Sequence, residues 1–144
     1  MKFLHRAAVP SAVALMALTA APASAASTTI GCQNQGKLQA KVSWTYTSTG
    51  HRWTSASFQL DGRVGGLVGD FGGKSNVYFT MKENGVTKFS QEAPPKNAVK
   101  MRTSYTFDFA DFTTTSSKDE NWYVRAVFDT PWETDYECTA VLDY

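Results

Sequence analysis

Side chains that carry out acid–base or nucleophilic catalysis are scarce in this sequence. Of its two histidines, His5 lies in the N-terminal stretch that is interpreted below as a leader, which leaves His51. The hydroxyl-rich composition of residues 47–51 predicts a turn there, and no Gly-x-Ser-x-Gly nucleophile motif is present. Because a lone histidine in a turn is usually solvated, the sequence predicts no catalytic residue.

Paired carboxylates could hydrolyse a glycosidic bond, and clustered carboxylates could bind calcium. Four acidic residues lie close together in the sequence: Asp108, Asp111, Asp119 and Glu120. The other candidates are Asp129, Glu133, Asp135 and Glu137. Since the cluster lacks the spaced loop of an EF-hand, we expect solvated charges and no metal site, with calcium binding by the four-residue cluster as the open alternative.

The glycine-rich residues 62–73 lead into Gly-Lys-Ser, the ending of a phosphate-binding loop. That motif requires a glycine five positions before Gly73, and the sequence has Val68 there. We therefore predict a bulged or flexible connection and no cofactor. The segment could present Leu67, Val68 and Phe71 to a partner or bury them beneath the fold, and burial is favoured.

The two cysteines, Cys32 and Cys138, predict one structural disulfide. The sequence has no third cysteine, and no histidine lies near either one, so a metal site is not favoured. Their pairing would span 106 residues, which the chain-entropy model values at roughly 4–5 kcal/mol. Such bonds form and persist in oxidising environments.

The N-terminus has the features of a secretory signal peptide. Basic residues precede an apolar run at 7–20, and small residues follow, ending in an Ala-x-Ala cleavage pattern. We predict that residues 1–25 are removed and that residues 26–144 form one secreted domain. Of the 14 basic residues, Lys2 and Arg6 leave with the leader, so 12 face 13 acidic ones. This near-neutral chain gives no electrostatic reason to expect nucleic acid as a partner, and we expect no membrane insertion.

Alternating apolar and polar residues predict β-strands through the remaining chain. The clearest case is residues 38–46, where Leu38, Ala40, Val42, Trp44 and Tyr46 share one face that we expect in the core. Further strands are predicted at 53–60, 77–82, 86–91, 100–109, 122–128 and 136–142, with an Asn-Gly hairpin turn at 83–85 and a hydroxyl-rich loop at 113–117.

Six to eight short strands without helical periodicity predict an all-β fold. We expect a single antiparallel β-sandwich, immunoglobulin-like, in which the disulfide joins the N- and C-terminal strands. A small β-barrel is the alternative.

Aromatic residues supply the remaining candidates for binding. Most alternate with polar residues and are expected in the core, but Trp53 at a strand entrance and Trp132 in a turn are candidates for exposure. With Arg52 and Phe71 they form the predicted binding set, because Trp and Arg dominate protein interfaces and aromatic rings also stack on sugars.

We therefore expect a non-catalytic binding module that engages another extracellular protein, as an adaptor, a subunit of a secreted assembly or an inhibitor. A sheet edge, the glycine-rich segment or a free N-terminal segment at 26–31 could provide the contact. A carbohydrate- or cell-wall-binding module is the alternative, and the single histidine disfavours a small secreted hydrolase. The sequence leaves the partner's identity and the oligomeric state open.

Overall fold

The computed structural model describes residues 24–62, 71, 73–115, 118–131 and 134–143. In this part of the chain there are eight β-strands and no helix, so none that could cross a membrane. Most of the predicted leader lies outside the described residues, and its removal stays a prediction. The strands are β1 (Ala25–Asn34), β2 (Gly36–Tyr46), β3 (Gly50–Asp61), β4 (Asn76–Glu83), β5 (Val86–Glu92), β6 (Ser104–Thr115), β7 (Glu120–Phe128) and β8 (Tyr136–Asp143).

The strands form two four-stranded antiparallel sheets packed face to face. The first sheet has the order β1-β2-β3-β6, and the second has the order β5-β4-β7-β8. At one side β1 lies beside β8, and at the other side the Phe89 ring of β5 stacks on the Phe112 ring of β6 with 5.0 Å between centroids. The predicted all-β, antiparallel sandwich is confirmed.

The disulfide closes the first of these sides. Cys32 of β1 and Cys138 of β8 are bonded, with their Cα atoms 5.8 Å apart. Asn34 adds a hydrogen bond from its side-chain amide to the Glu137 carbonyl at 2.9 Å. The predicted bond between the first and last strands is therefore confirmed, and it indicates an oxidising environment.

The alternation in the sequence correctly identifies most of the core. In β2 the inward residues from Leu38 to Trp44 are at most 4% exposed, and in β7 those from Trp122 to Phe128 are fully buried. The prediction for Tyr46 is wrong, because it lies at the end of β2 and is 51% exposed. The hairpin between β4 and β5 turns at Asn84 and Gly85, whose φ angles of 49° and 77° are those that the Asn-Gly pair predicts.

Two predictions about the chain path are wrong. The strand predicted at 100–109 begins at Ser104 and extends to Thr115, because residues 113–115 of the predicted loop pair with residues 50–52 of β3. The N-terminal segment at 26–31 is not free, since it pairs with β2 along its whole length as part of β1. The backbone groups of residues 26–31 that face β2 are therefore already hydrogen-bonded.

A bulge in β3 explains why simple alternation fails near its start. Ser55 pairs with Ser43 and Trp53 with Trp44, which leaves Thr54 as an extra residue. One extra residue reverses which positions face the core. Residues after the bulge face inward at even numbers, as in Ala56, whereas residues before it face inward at odd numbers.

Removal of the disulfide tests how much the bond between β1 and β8 contributes to the free energy of unfolding. We expect Cys32→Ser to lower the free energy of unfolding by about 2–5 kcal/mol, because the unfolded chain gains the freedom that the bond removes. Denaturant unfolding of the variant and of reduced wild-type protein measures this effect. An unchanged unfolding midpoint in both samples would contradict a stabilising role.

Candidate functional site

A buried histidine–glutamate pair lies at the end of the sandwich where β3 and β7 begin. His51 Nδ1 and Glu120 Oε2 are 2.6 Å apart, and the two side chains are 11% and 2% exposed. The pair connects the first sheet to the second. The prediction of a solvated turn for His51 is wrong, and so is that of a solvated loop charge for Glu120, because both positions are in phase with buried strand residues.

Aromatic rings surround the imidazole of His51. The ring centroids of Trp44, Tyr46 and Trp53 lie 6.0, 5.4 and 5.6 Å from it. A carboxylate on Nδ1 is the arrangement that orients a catalytic histidine. Here, however, the imidazole packs against two core tryptophans and the half-exposed Tyr46, and Glu120 Oε1 is buried without a hydrogen-bond partner among the described residues. The pair therefore has the character of a polar contact inside the core.

A second buried carboxylate, that of Glu83, closes the same end of the sandwich. It accepts a hydrogen bond from the Thr115 amide at 2.8 Å, and the ammonium groups of Lys88 and Lys118 lie at 3.1 and 3.5 Å. The Thr115 hydrogen bond, opposed by desolvation and aided by the lysines, lowers the pKa of Glu83 from its ordinary value. The carboxylate stays charged and ties β4 to β6.

The four carboxylates considered for calcium do not form a cluster. Glu120 faces the core, Asp108 pairs with Ser55 on β3, and Asp111 binds the Arg52 guanidinium at 2.5 Å. Within the described ranges no three His, Cys, Asp or Glu side chains are placed to share a metal ion. The structure thus does not bring these residues together.

The predicted binding set is dispersed. Trp53 is fully buried and donates its indole N–H to Thr114 Oγ1 at 2.8 Å, so the prediction of an exposed anchor is wrong. Arg52 is exposed and paired with Asp111. Trp132 lies outside the described residues.

Phe71 is buried at 7% exposure, as the favoured interpretation of the glycine-rich segment predicts for it. Its ring packs on Phe128 with 4.8 Å between centroids. The fit requires Gly36, where a Cβ atom would come within 2.6 Å of the Phe71 ring. Leu67 and Val68 lie outside the described residues.

A different surface carries accessible aromatic and cationic side chains: the outer face of the second sheet. Arg125 lies over the Tyr78 ring at 4.8 Å from its centroid, and Lys82 lies over the Tyr123 ring at 5.1 Å. These four residues, with Thr80, Ser90 and Thr139, line a shallow groove of about 370 Å³. Val141, at the same level of the sheet as Tyr123, is 52% exposed.

The outer face of the first sheet is chemically different. Hydroxyl, amide and lysine side chains line its depression: Thr29, Gln39, Lys41, Ser57, Gln59 and Ser104. Such polar residues are what a solvated sheet face normally carries. The contrast makes the second sheet's outer face the candidate interaction surface.

The sequence contained a signal for this surface. Tyr123 and Arg125 occupy the outward positions of the strand predicted at 122–128, where alternation calls for polar residues. The outward phase of Tyr123 distinguishes it from the core aromatics, but its proximity to Lys82 and Tyr78 depends on strand order, which alternation does not specify.

Comparison with known proteins supplies no further guidance. No protein-family model matches the chain, and neither a curated protein nor a solved structure is detectably similar to it.

Substitution at the buried pair tests its structural role. We expect Glu120→Ala to lower the free energy of unfolding by about 1–3 kcal/mol, because it removes the buried carboxylate that contacts His51 Nδ1. Asp111→Ala removes an exposed carboxylate from the same end and should cost less than about 1 kcal/mol. Denaturant unfolding measures the free energy of unfolding of both variants. An equal decrease in the two would show that the buried pair stabilises the fold no more than an exposed carboxylate does.

Proposed function

We propose that the protein is a secreted, non-catalytic binding module that engages another extracellular protein through the outer face of the second sheet. The observation that carries this proposal is the pairing of two half-buried tyrosines with two cations on that face. Tyrosine and arginine are enriched where protein interfaces concentrate their binding energy. An adaptor, a subunit of a secreted assembly or an inhibitor would each use such a surface.

Two features support secretion and the absence of catalysis. The leader pattern of residues 1–25 and the disulfide are both typical of exported proteins. His51, the one histidine after the leader, uses Nδ1 to contact Glu120 and exposes only 11% of its side chain. Little of the imidazole is therefore accessible to a substrate.

Glycan binding is the second candidate, because accessible tyrosines can stack on sugar rings. In this structure the cations of Lys82 and Arg125 cover the rings of Tyr123 and Tyr78. A neutral sugar would have to displace these cations before stacking, whereas the carboxylates of a protein partner can accept charge-assisted hydrogen bonds from them. This difference favours the protein partner.

Affinity capture with matched variants tests the proposal. Tagged protein is incubated with the culture medium of the producing cells, and companions are identified by mass spectrometry. We expect a stoichiometric companion protein that the double variant Tyr78→Ala/Tyr123→Ala loses, because it lacks both aromatic anchors. Gln39→Ala/Gln59→Ala, on the outer face of the first sheet, should retain it.

Two results would contradict the proposal. One is capture that the glutamine variant loses and the tyrosine variant keeps. The other is protein that stays alone in the medium but is depleted from solution by insoluble polysaccharide, which would establish the glycan alternative.

A further inference from the structure

We propose that the groove between Tyr78 and Tyr123 binds an extended acidic segment of the partner protein, one with carboxylate side chains at alternate positions. This inference rests on the proposed function and specifies which chemistry of the partner the surface recognises.

The lining of the groove is rich in hydrogen-bond donors. Each of its seven side chains ends in a phenol, an alcohol, an ammonium or a guanidinium group, and none of these described residues is a carboxylate. Ammonium and guanidinium groups only donate hydrogen bonds, and the hydroxyl groups can do so. A ligand that supplies only acceptors, as ionised Asp and Glu side chains do, fits this lining.

The two cations are held in place before any ligand arrives. Lys82 lies against the Tyr123 ring and forms no ion pair within the described part of the chain, and Arg125 lies against the Tyr78 ring. Attraction to the ring faces restricts both side chains. Less conformational entropy is then lost when a carboxylate binds them.

Glu137, which lies outside the groove lining, shows that Arg125 accepts a carboxylate. Its two oxygens lie 3.3 and 3.4 Å from Arg125 Nη1, and both side chains are about half exposed, at 46% and 51%. An exposed pair of this kind has a small net stability. A partner's carboxylate can therefore replace Glu137 at Arg125 at little cost.

The spacing of the cations selects an extended ligand. Tyr78 pairs with Arg125 and Thr80 pairs with Tyr123, so the two covered rings lie in adjacent rows of the sheet. Tyr78 is on β4 and Tyr123 is on β7, so the two rings belong to diagonal neighbours, which are roughly 7–8 Å apart. Because each cation lies over one of these rings, carboxylates at positions i and i+2 of an extended segment match the separation.

Peptide binding tests this inference. The probe is a peptide of alternating Glu and Ser, with an alternating Gln and Ser peptide as the uncharged control, and binding is measured by calorimetry at low salt. We expect the acidic peptide to bind and the control not to bind. The double variant Lys82→Gln/Arg125→Gln should lose about tenfold or more in affinity, the effect of losing one charge-assisted hydrogen bond.

A matched variant separates groove binding from general charge attraction. Lys37→Gln/Lys41→Gln removes the same charge from the first sheet's outer face and should change the affinity less than about twofold at moderate salt. The inference would be overturned by equal losses in the two double variants or by no binding of the acidic peptide. It would also be overturned if the protein did not bind the peptide but bound polygalacturonate, an acidic polysaccharide, with the same dependence on Lys82 and Arg125. Failure here, combined with a companion protein that is lost on Tyr78→Ala/Tyr123→Ala, would leave the proposed function standing.

Discussion

A network of aromatic rings between the two sheets is the constraint on which the remaining structure depends. Trp53 of β3 meets Trp122 of β7 with ring centroids 5.2 Å apart, and Phe109 of β6 stacks on the same Trp122 at 5.1 Å. Farther along, Phe79 of β4 contacts Phe58 and Phe107 of the first sheet. Large rings on the inner faces of both sheets each bury much more apolar area than an aliphatic side chain does, so they carry a large share of the hydrophobic stabilisation.

This use of the aromatic residues determines what is left for binding. The three described tryptophans are at most 4% exposed, so none can anchor a ligand. Tyr78 and Tyr123 point to the other side of the same strands that supply Phe79 and Trp122, because successive side chains in a strand face opposite ways. The binding surface proposed for the second sheet is thus the outer side of the strands that form the core.

The sequence was sufficient for the fold class and insufficient for the strand order and the sites. Strands such as β2 and β7 follow a strict period of two, so their buried residues could be predicted, and two cysteines allow a single pairing. His51 and Trp53 were misplaced because the bulge at Thr54 reverses the inward positions, and no local signal marks it. Glu120 lies two residues before Trp122 and therefore on the same inward face of β7, but its partner His51 lies 69 residues away in the sequence. The juxtaposition of Lys82 with Tyr123 likewise depends on the pairing of β4 with β7.

Chemical-shift mapping of the isotope-labelled protein with its purified companion tests the central claim, that binding occurs through the outer face of the second sheet. The account predicts that backbone amides at 78–82, 123–125 and 139–141 shift as the companion is added, while those at 37–41 and 57–59 do not. Shifts concentrated on the first sheet's outer face or around His51 would contradict it.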